Sequence, residues 1–174
     1  MKRPVLFLDF DDVLAIDQYN NSVQVLFAFR AGLPADEVDL WKNLFYGPAC
    51  SSLLALHNEF EPEYVISSSW VTFLSREQIS RVLFLTRLEF VQRNLHAAWT
   101  TMRNDSSDRF TEINDWLEIN NPHRIQPYVI LDDQLSGQAI CGSYLERNAV
   151  LCKPWKGFTK DKLKQAQKIL RSQI

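Results

Sequence analysis

Short, continuous apolar runs recur along the chain, and three of them end abruptly in polar residues. These three runs cover residues 5–8, 64–66 and 128–131. Runs of this length are typical of strands that are buried on both faces of a parallel sheet. The same pattern predicts further strands over residues 95–101 and 149–152. The chain is therefore expected to contain a sheet of buried strands.

Apolar residues at helical spacing fill the intervals between these runs. Helices are predicted over residues 36–45, 50–60 and 76–91, the last as one helix or a pair. Ser75 and Gln78 have the spacing of a capping box at the start of that segment. Residues 23–29 fit either a helix or a strand.

Two more helical stripes follow in the second half of the chain. One consists of Phe110, Ile113, Trp116 and Leu117, and the other follows a predicted cap at Thr159. Strands thus alternate with helices throughout. This alternation predicts the α/β class: a doubly wound parallel sheet with helices on both faces.

Carboxylates stand directly after two of the predicted strands. Asp9, Asp11 and Asp12 follow the first, and Asp132 and Asp133 follow the run at 128–131. Strand geometry places Asp9 and Asp11 on the same side of the chain, about 7 Å apart. Carboxylates this close repel unless a cation lies between them or one takes a proton. The alternative, a solvated acidic turn, explains Asp12 alone better than it explains the set.

The order of these strand ends resembles the haloacid dehalogenase-like (HAD) superfamily of phosphohydrolases. Its first motif, an apolar strand followed by Asp-x-Asp-x-(Thr/Val)-Leu, is similar to the stretch from Asp9 to Leu14. Its second motif, a strand ending in Ser or Thr, matches Ile66-Ser67. Its fourth, a strand ending in paired acids, matches Leu131-Asp132-Asp133. The resemblance spans most of the chain.

The resemblance implies a phosphatase mechanism with an aspartyl-phosphate intermediate. Asp9 would be the nucleophile, and Asp11 would protonate the leaving oxygen and then activate water. Ser67 would bind the phosphoryl oxygens, with Ser68 as the alternative. The implied cofactor is Mg²⁺, which suits oxygen ligands and a substrate phosphate.

The implied metal ligands are also residues of the first and fourth motifs. They are Asp9, the backbone carbonyl of Asp11, and one or both of Asp132 and Asp133. The third motif of the family is a Lys or Arg that precedes the fourth motif. Its position corresponds to Arg109, at the start of the predicted helix before residues 128–131, while Lys153 and Lys156 are alternatives.

The whole chain of 174 residues is expected to be one HAD-like domain, with a small cap or flap inserted at about 17–47. So short an insertion predicts a rather open site. Within the resembled family, small caps accompany larger substrates such as phosphoproteins or nucleic-acid ends. The expected partner is therefore a phosphorylated small molecule or macromolecular end.

The composition of the chain limits which partners it can bind and in which cellular compartment it is expected. The net charge of −2 does not steer the chain onto nucleic acid or anionic lipid, so nucleic acid enters only as a substrate that a local basic patch would bind. Three scattered cysteines, expected to be buried, argue against a disulfide framework. The apolar stretch before Asp9 is too short for a signal peptide, and no segment is long enough to span a membrane. A soluble, cytoplasmic protein is predicted.

Other functions fit the sequence less well. A catalytically silent HAD scaffold that binds phosphate or regulates is the main alternative. A receiver-type signalling domain would need an acceptor Asp at its third strand and a Lys at its fifth. A phosphonatase would need a Schiff-base lysine in its lid, where the segment 17–47 offers only Lys42.

Overall fold

A parallel five-stranded sheet forms the centre of the protein, in strand order β3-β2-β1-β4-β5. The fold is taken from a computed structural model that describes residues 2–32, 38–101 and 107–174. The strands are β1 (Val5–Leu8), β2 (Glu63–Ile66), β3 (Leu95–Thr100), β4 (Tyr128–Asp133) and β5 (Ala149–Cys152). Every neighbouring pair of strands is parallel.

Helices connect the strands and cover the sheet. They are α1 (Ser22–Arg30), α2 (Val38–Leu44), α3 (Gly47–Phe60), α4 (Arg76–Leu85), α5 (Glu89–Arg93), α6 (Arg109–Asn120) and α7 (Lys160–Arg171). Short 3₁₀ turns lie at Ser69–Thr72, Ser136–Ile140 and Glu146–Asn148.

Hydrophobic cores lie on both faces of the sheet. Leu6 and Leu8 of β1 belong to the larger core, together with buried residues of α1 to α5 and α7. Val5 and Phe7 point to the opposite face, because successive strand residues alternate. They pack there against α6, where the ring centroid of Phe7 lies 5.1 Å from that of Trp116. The predicted α/β class, with helices on both faces of a parallel sheet, is confirmed.

Several predicted boundaries are wrong by a few residues. Helix α3 begins at Gly47 rather than at Cys50, because Pro48 occupies the first turn, where its missing N–H costs nothing. The segment predicted over 76–91 forms two helices, one of the two alternatives, and the second helix ends at Arg93 rather than at residue 91; Arg87 between them has a φ of 62°. Strand β4 continues through Asp133 instead of ending at Leu131.

Three further expectations have different outcomes. The ambiguous segment 23–29 lies within helix α1. The predicted helix over residues 36–45 corresponds to α2, although residues 36 and 37 lie outside the described part of the chain. Of the three cysteines, Cys152 is buried as expected, but Cys50 is only partly buried and Cys141 is exposed.

Candidate active site

The register of the central strands brings the predicted polar residues to one edge of the sheet. Leu8 pairs with Ile66 on one side and with Leu131 on the other. The amide of Asp9 donates to the carbonyl of Leu131 at 3.0 Å, and the amide of Ser67 donates to the carbonyl of Leu8 at 2.9 Å. Asp9, Ser67 and Asp132 therefore lie at the same level of the sheet. They stand at the carboxyl ends of the strands, where ligands bind in open α/β sheets.

Asp9 is held by the chain on which it stands. Its carboxylate is 2% exposed, and its Oδ1 atom accepts a hydrogen bond of 2.8 Å from the amide of Phe10. The Oδ2 atom lies 3.6 Å from Nη2 of Arg109. One carboxylate oxygen is thus fixed by the backbone, while the other faces a positive charge.

Asp9, Asp132 and Asp133 form a compact acid cluster at this edge. One carboxylate oxygen from each lies within 4.8 Å of the others, and all three residues are buried. Asp132 accepts a hydrogen bond of 2.9 Å from the amide of Asp133. Asp133 in turn accepts from the amides of Leu135 and Ser136, at 2.6 and 3.0 Å, and so holds the turn after β4.

Burial makes this cluster difficult to ionise fully. It raises the pKa of Asp9 well above the usual value, and the neighbouring charge of Asp132 raises it further. Burial also raises the pKa of Asp132, to about 6, although the positive charge of Arg109 opposes the shift. Since Arg109 offsets only part of the negative charge, the cluster favours either a proton or an added cation.

Arg109 connects the acid cluster with the second motif strand. It is the first residue of α6, where the side chain of Asp108 accepts from the amide of Thr111 at 2.8 Å. Its guanidinium Nε lies 2.7 Å from Oδ2 of Asp132, and Nη1 donates to Oγ of Ser67 at 3.2 Å. The structure thus places Arg109 at the predicted edge, with its side chain buried among carboxylates.

Glu112 is a buried partner of Arg109 to which the sequence analysis assigned no role. Its Oε2 atom accepts a hydrogen bond of 2.9 Å from Nη1 of Arg109, and Oε1 accepts from Ser107. The spacing of three residues between Arg109 and Glu112 could have indicated this pair, because side chains at that spacing lie on one face of a helix. Glu112 thus binds Nη1 of the guanidinium, whereas Asp132 lies against Nε.

Two serines follow β2, and they have different surroundings. Oγ of Ser67 accepts from Arg109 and lies 3.5 Å from Oγ1 of Thr101. The hydroxyl of Ser68 faces Asp9 closely enough to oppose part of the rise that burial causes in the pKa of that carboxyl. It is nevertheless buried without a well-formed hydrogen bond to the described residues. Both hydroxyls are therefore candidates for binding an incoming anion, and the choice between them stays open.

Asp11 lies apart from the acid cluster and faces Trp70. The indole Nε1 of Trp70 donates to Oδ2 of Asp11 at 2.9 Å, and Oγ of Ser69 is 3.4 Å from the same atom. Burial raises the pKa of Asp11, and the hydrogen bond from Trp70 partly opposes the rise. Trp70 is fully buried, so it holds this carboxylate in one orientation. No local pattern in the chain indicates this contact, because 59 residues separate the two.

The two lysines considered as alternatives to Arg109 lie elsewhere. Lys153 and Lys156 follow β5, and both are exposed. Neither contributes a contact to the acid cluster in the described part of the chain, whereas Arg109 lies within 4 Å of two of its carboxylates.

Comparison with known proteins gives one family match. The model of a family described as "HAD domain in Swiss Army Knife RNA repair proteins" matches residues 5–163. Neither the curated proteins nor the solved structures provide a match. Among the described helices, none is long and apolar enough to cross a membrane.

Proposed function

Because the chain belongs to the HAD superfamily, in the family of HAD domains of Swiss Army Knife RNA repair proteins, we propose that it is a Mg²⁺-dependent phosphatase. It would hydrolyse a phosphomonoester through an aspartyl-phosphate on Asp9. The family match supports a HAD-like phosphohydrolase, and the proposal adds the Mg²⁺ dependence and the aspartyl-phosphate intermediate.

The position of Asp9 is the observation that carries this proposal. Its Oδ1 atom accepts from the amide of Phe10, and its Oδ2 atom faces Arg109. A nucleophilic carboxylate must be held in place and must meet an anionic phosphate without prohibitive repulsion. The backbone supplies the first requirement, and the guanidinium supplies part of the second.

The acid cluster fits a small divalent cation. Its donors are carboxylate oxygens only, within 4.8 Å of one another, and Mg²⁺ prefers such oxygen ligands. Asp9, Asp132 and Asp133 would hold the ion, together with the backbone carbonyl of Asp11. When bound, Mg²⁺ would neutralise both the nucleophile and the substrate phosphate.

The remaining steps follow from the side chains. Asp9 attacks phosphorus and forms a covalent aspartyl-phosphate, while Asp11 gives its proton to the departing alkoxide oxygen. Asp11 then removes a proton from the attacking water, which displaces Asp9 and releases inorganic phosphate. The raised pKa of Asp11 supports the first role, since it favours a carboxyl group that carries the proton.

Arg109 and the serines after β2 would bind the transferring phosphoryl group. A guanidinium can form two parallel hydrogen bonds to phosphate oxygens, and fixed donors of this kind stabilise charge that develops in the transition state. The contact between Arg109 and Ser67, at 3.2 Å, would present both donors from the same side.

Helices α1 and α2 would form the small cap. They lie between β1 and α3, within the segment 17–47 that the sequence suggested. So small a cap leaves room for a substrate larger than a metabolite. The family description names RNA repair, which supports a phosphate at a nucleic-acid end as the substrate.

Replacement of the nucleophile provides the test. Asp9→Asn removes the nucleophilic charge with little change of volume, so it should abolish Mg²⁺-dependent hydrolysis of an aryl phosphate while the protein remains folded. Asp115→Asn is the matched control, because Asp115 is an exposed acid on α6. Near wild-type turnover by Asp9→Asn at saturating Mg²⁺ would contradict the assignment. A wild-type protein that binds phosphate but hydrolyses no phosphomonoester would instead favour the silent scaffold.

A further inference from the structure

Two cavities meet beside the loop that follows β1. Their volumes are about 590 and 960 Å³, and both are lined by Ile16, Tyr46 and Trp155. The smaller extends towards Tyr19, and the larger runs along the start of α7. Together they form a surface groove.

Exposed aromatic rings border the groove. Tyr19 is 73% exposed, Tyr46 is 43% exposed and Trp155 is 61% exposed. Large aromatic side chains usually bury most of their surface in the core. Core packing therefore does not explain why these three rings are present. Trp155 also has a φ of 63°, a left-handed conformation that is uncommon for a bulky residue.

Positive charge is concentrated in the segment of the chain that borders the larger cavity. The segment from Lys153 to Arg171 contains seven Lys and Arg residues and one Asp, although the whole chain has a net charge of −2. Three of these lysines line the larger cavity, namely Lys156, Lys160 and Lys164, whose lining contains no carboxylate, while Asp17 lines the smaller cavity. Lys164 lies 3.5 Å from Asp161, but both side chains are exposed, so that pair is weak.

The groove is attached to the loop that carries the first motif. The amide of Trp155 donates to Oδ1 of Asp12 at 2.7 Å, and the amide of Phe158 donates to the carbonyl of Val13 at 2.8 Å. Gly157 permits this approach, because a Cβ there would lie 3.0 Å from the carbonyl oxygen of Val13. The groove therefore begins one residue beyond Asp11.

We propose that this aromatic–lysine groove binds single-stranded nucleic acid and leads its phosphorylated end to Asp9. Grooves that bind single strands combine cationic side chains along the backbone with aromatic rings on which bases stack. Tyr19, Tyr46 and Trp155 supply the rings, and the three lysines supply the charge. The groove's role as a substrate path rests on the proposed phosphatase function, whereas binding by the groove can be measured without turnover.

The binding experiment uses a fluorescent single-stranded RNA of about 12 nucleotides with a terminal phosphate, which is within the usual site size. Fluorescence anisotropy is measured on the full chain in EDTA. Trp155→Ala should weaken binding by about 10-fold to 100-fold, as expected for the loss of one stacked base. Lys160→Gln combined with Lys164→Gln should weaken binding and flatten the slope of log K against log salt by about 0.7 per lysine.

Matched controls separate the groove from general effects. Phe84→Ala removes an exposed aromatic ring elsewhere, and Arg76→Gln combined with Arg81→Gln removes the same charge from exposed positions of α4, outside the groove. Both controls should bind RNA within about twofold of wild type, a difference far below one stacking contact. Melting temperatures of all variants establish that they are folded.

Two results would overturn the proposal. One is RNA binding by both groove variants with wild-type affinity. The other is displacement of the RNA by an acidic peptide of equal charge as readily as by unlabelled RNA, which would identify a generic polyanion or protein surface. RNA binding through the groove without hydrolysis of any phosphomonoester would leave the groove intact and refute the phosphatase. If the protein hydrolyses an aryl phosphate and Asp9→Asn abolishes that activity, but the protein does not bind RNA, the phosphatase function would stand and the groove proposal would be refuted.

Discussion

Arg109 shows how much one side chain can connect at this site. Its guanidinium contacts Asp9, Asp132 and Glu112, and it donates to Ser67. The sequence placed it at the start of a helix near the sheet edge. The structure adds that it is buried, so its removal affects stability as well as any role in catalysis.

Arg109→Ala is expected to lower aryl phosphate turnover by on the order of 100-fold, the usual cost of losing one electrostatic contact in the transition state. It should also destabilise the protein by about 3 kcal/mol, because buried carboxylates lose their partner. Arg109→Lys should recover part of the turnover, since it restores the charge without the planar fork. Steady-state kinetics and urea unfolding measure the two effects.

Lys153→Ala is the control for Arg109. Its side chain is exposed and outside the acid cluster, so the loss of turnover should be far milder. Inactivity of Lys153→Ala together with normal turnover by Arg109→Ala would place the third motif after β5 instead.

Trp70→Phe tests whether Trp70 positions Asp11. Loss of the indole N–H removes the 2.9 Å hydrogen bond to Asp11. Turnover of an alkyl phosphate should fall by about 10-fold, a part of the usual contribution of a general acid. An aryl phosphate, whose leaving group needs less protonation, should lose less. Kinetics on the two substrates measure the difference.

Trp116→Phe is matched to that variant. Trp116 is also buried, but it belongs to the core on the other face of the sheet from Trp70. Its indole N–H donates to the carbonyl of Ala98. It should lose similar stability and retain its turnover. If Trp70→Phe loses turnover equally on the alkyl and the aryl phosphate, Trp70 contributes only to packing and does not position Asp11.

At the scale of elements, the carboxyl end of β4 differs most from expectation. The strand continues through Asp132 and Asp133, and the turn after it is held by Asp133. Gly137 lies in that turn, where a Cβ would come within 2.6 Å of the side chain of Leu151. Asp132 and Asp133 are therefore held in place by the pairing of β4 with β5 and by the turn that follows.

Mg²⁺ should stabilise the protein through this strand end. Binding to the folded state alone raises the free energy of unfolding by about 2.7 kcal/mol when the ion is at 100 times its Kd. Asp132→Ala combined with Asp133→Ala should remove the rise in melting temperature. Asp115→Ala combined with Asp161→Ala, two exposed acids, should keep it. An unchanged rise in the first double variant would place the metal elsewhere.

At the scale of the whole molecule, the acid cluster places three buried carboxyl groups at the carboxyl edge of the sheet. Burial raises the pKa of Asp132 from its usual value near 3.8 to about 6, and raises that of Asp9 in the same direction. The folded protein therefore binds a proton more readily than the unfolded chain does between about pH 4 and pH 6. Its stability is linked to pH in that window.

The metal-free protein should become more stable as the pH falls from 7 to 5, on the order of 1–2 kcal/mol, and lose this stability as the pH rises through 6. Asp132→Asn should flatten the dependence. His57, whose pKa burial lowers, opposes the trend equally in both proteins and cancels in the comparison. Urea unfolding in EDTA provides the measurement. Equal slopes for the two proteins would show that Asp132 does not titrate in this range.

The sequence by itself determined the fold class and the polar residues that follow the apolar runs. Buried strands and amphipathic helices leave local periodic patterns, and Asp9, Ser67 and Asp132 each stand directly after an apolar run. These features depend on neighbours in the chain, and so they can be deduced from it.

Only the tertiary structure decided which side chains meet. The pairing of Trp70 with Asp11 and the meeting of Tyr19 and Trp155 along one groove join residues that are distant in sequence. Such contacts depend on strand register and on how loops pack against each other. Several registers and loop arrangements are compatible with one hydrophobic pattern, and packing in three dimensions selects among them.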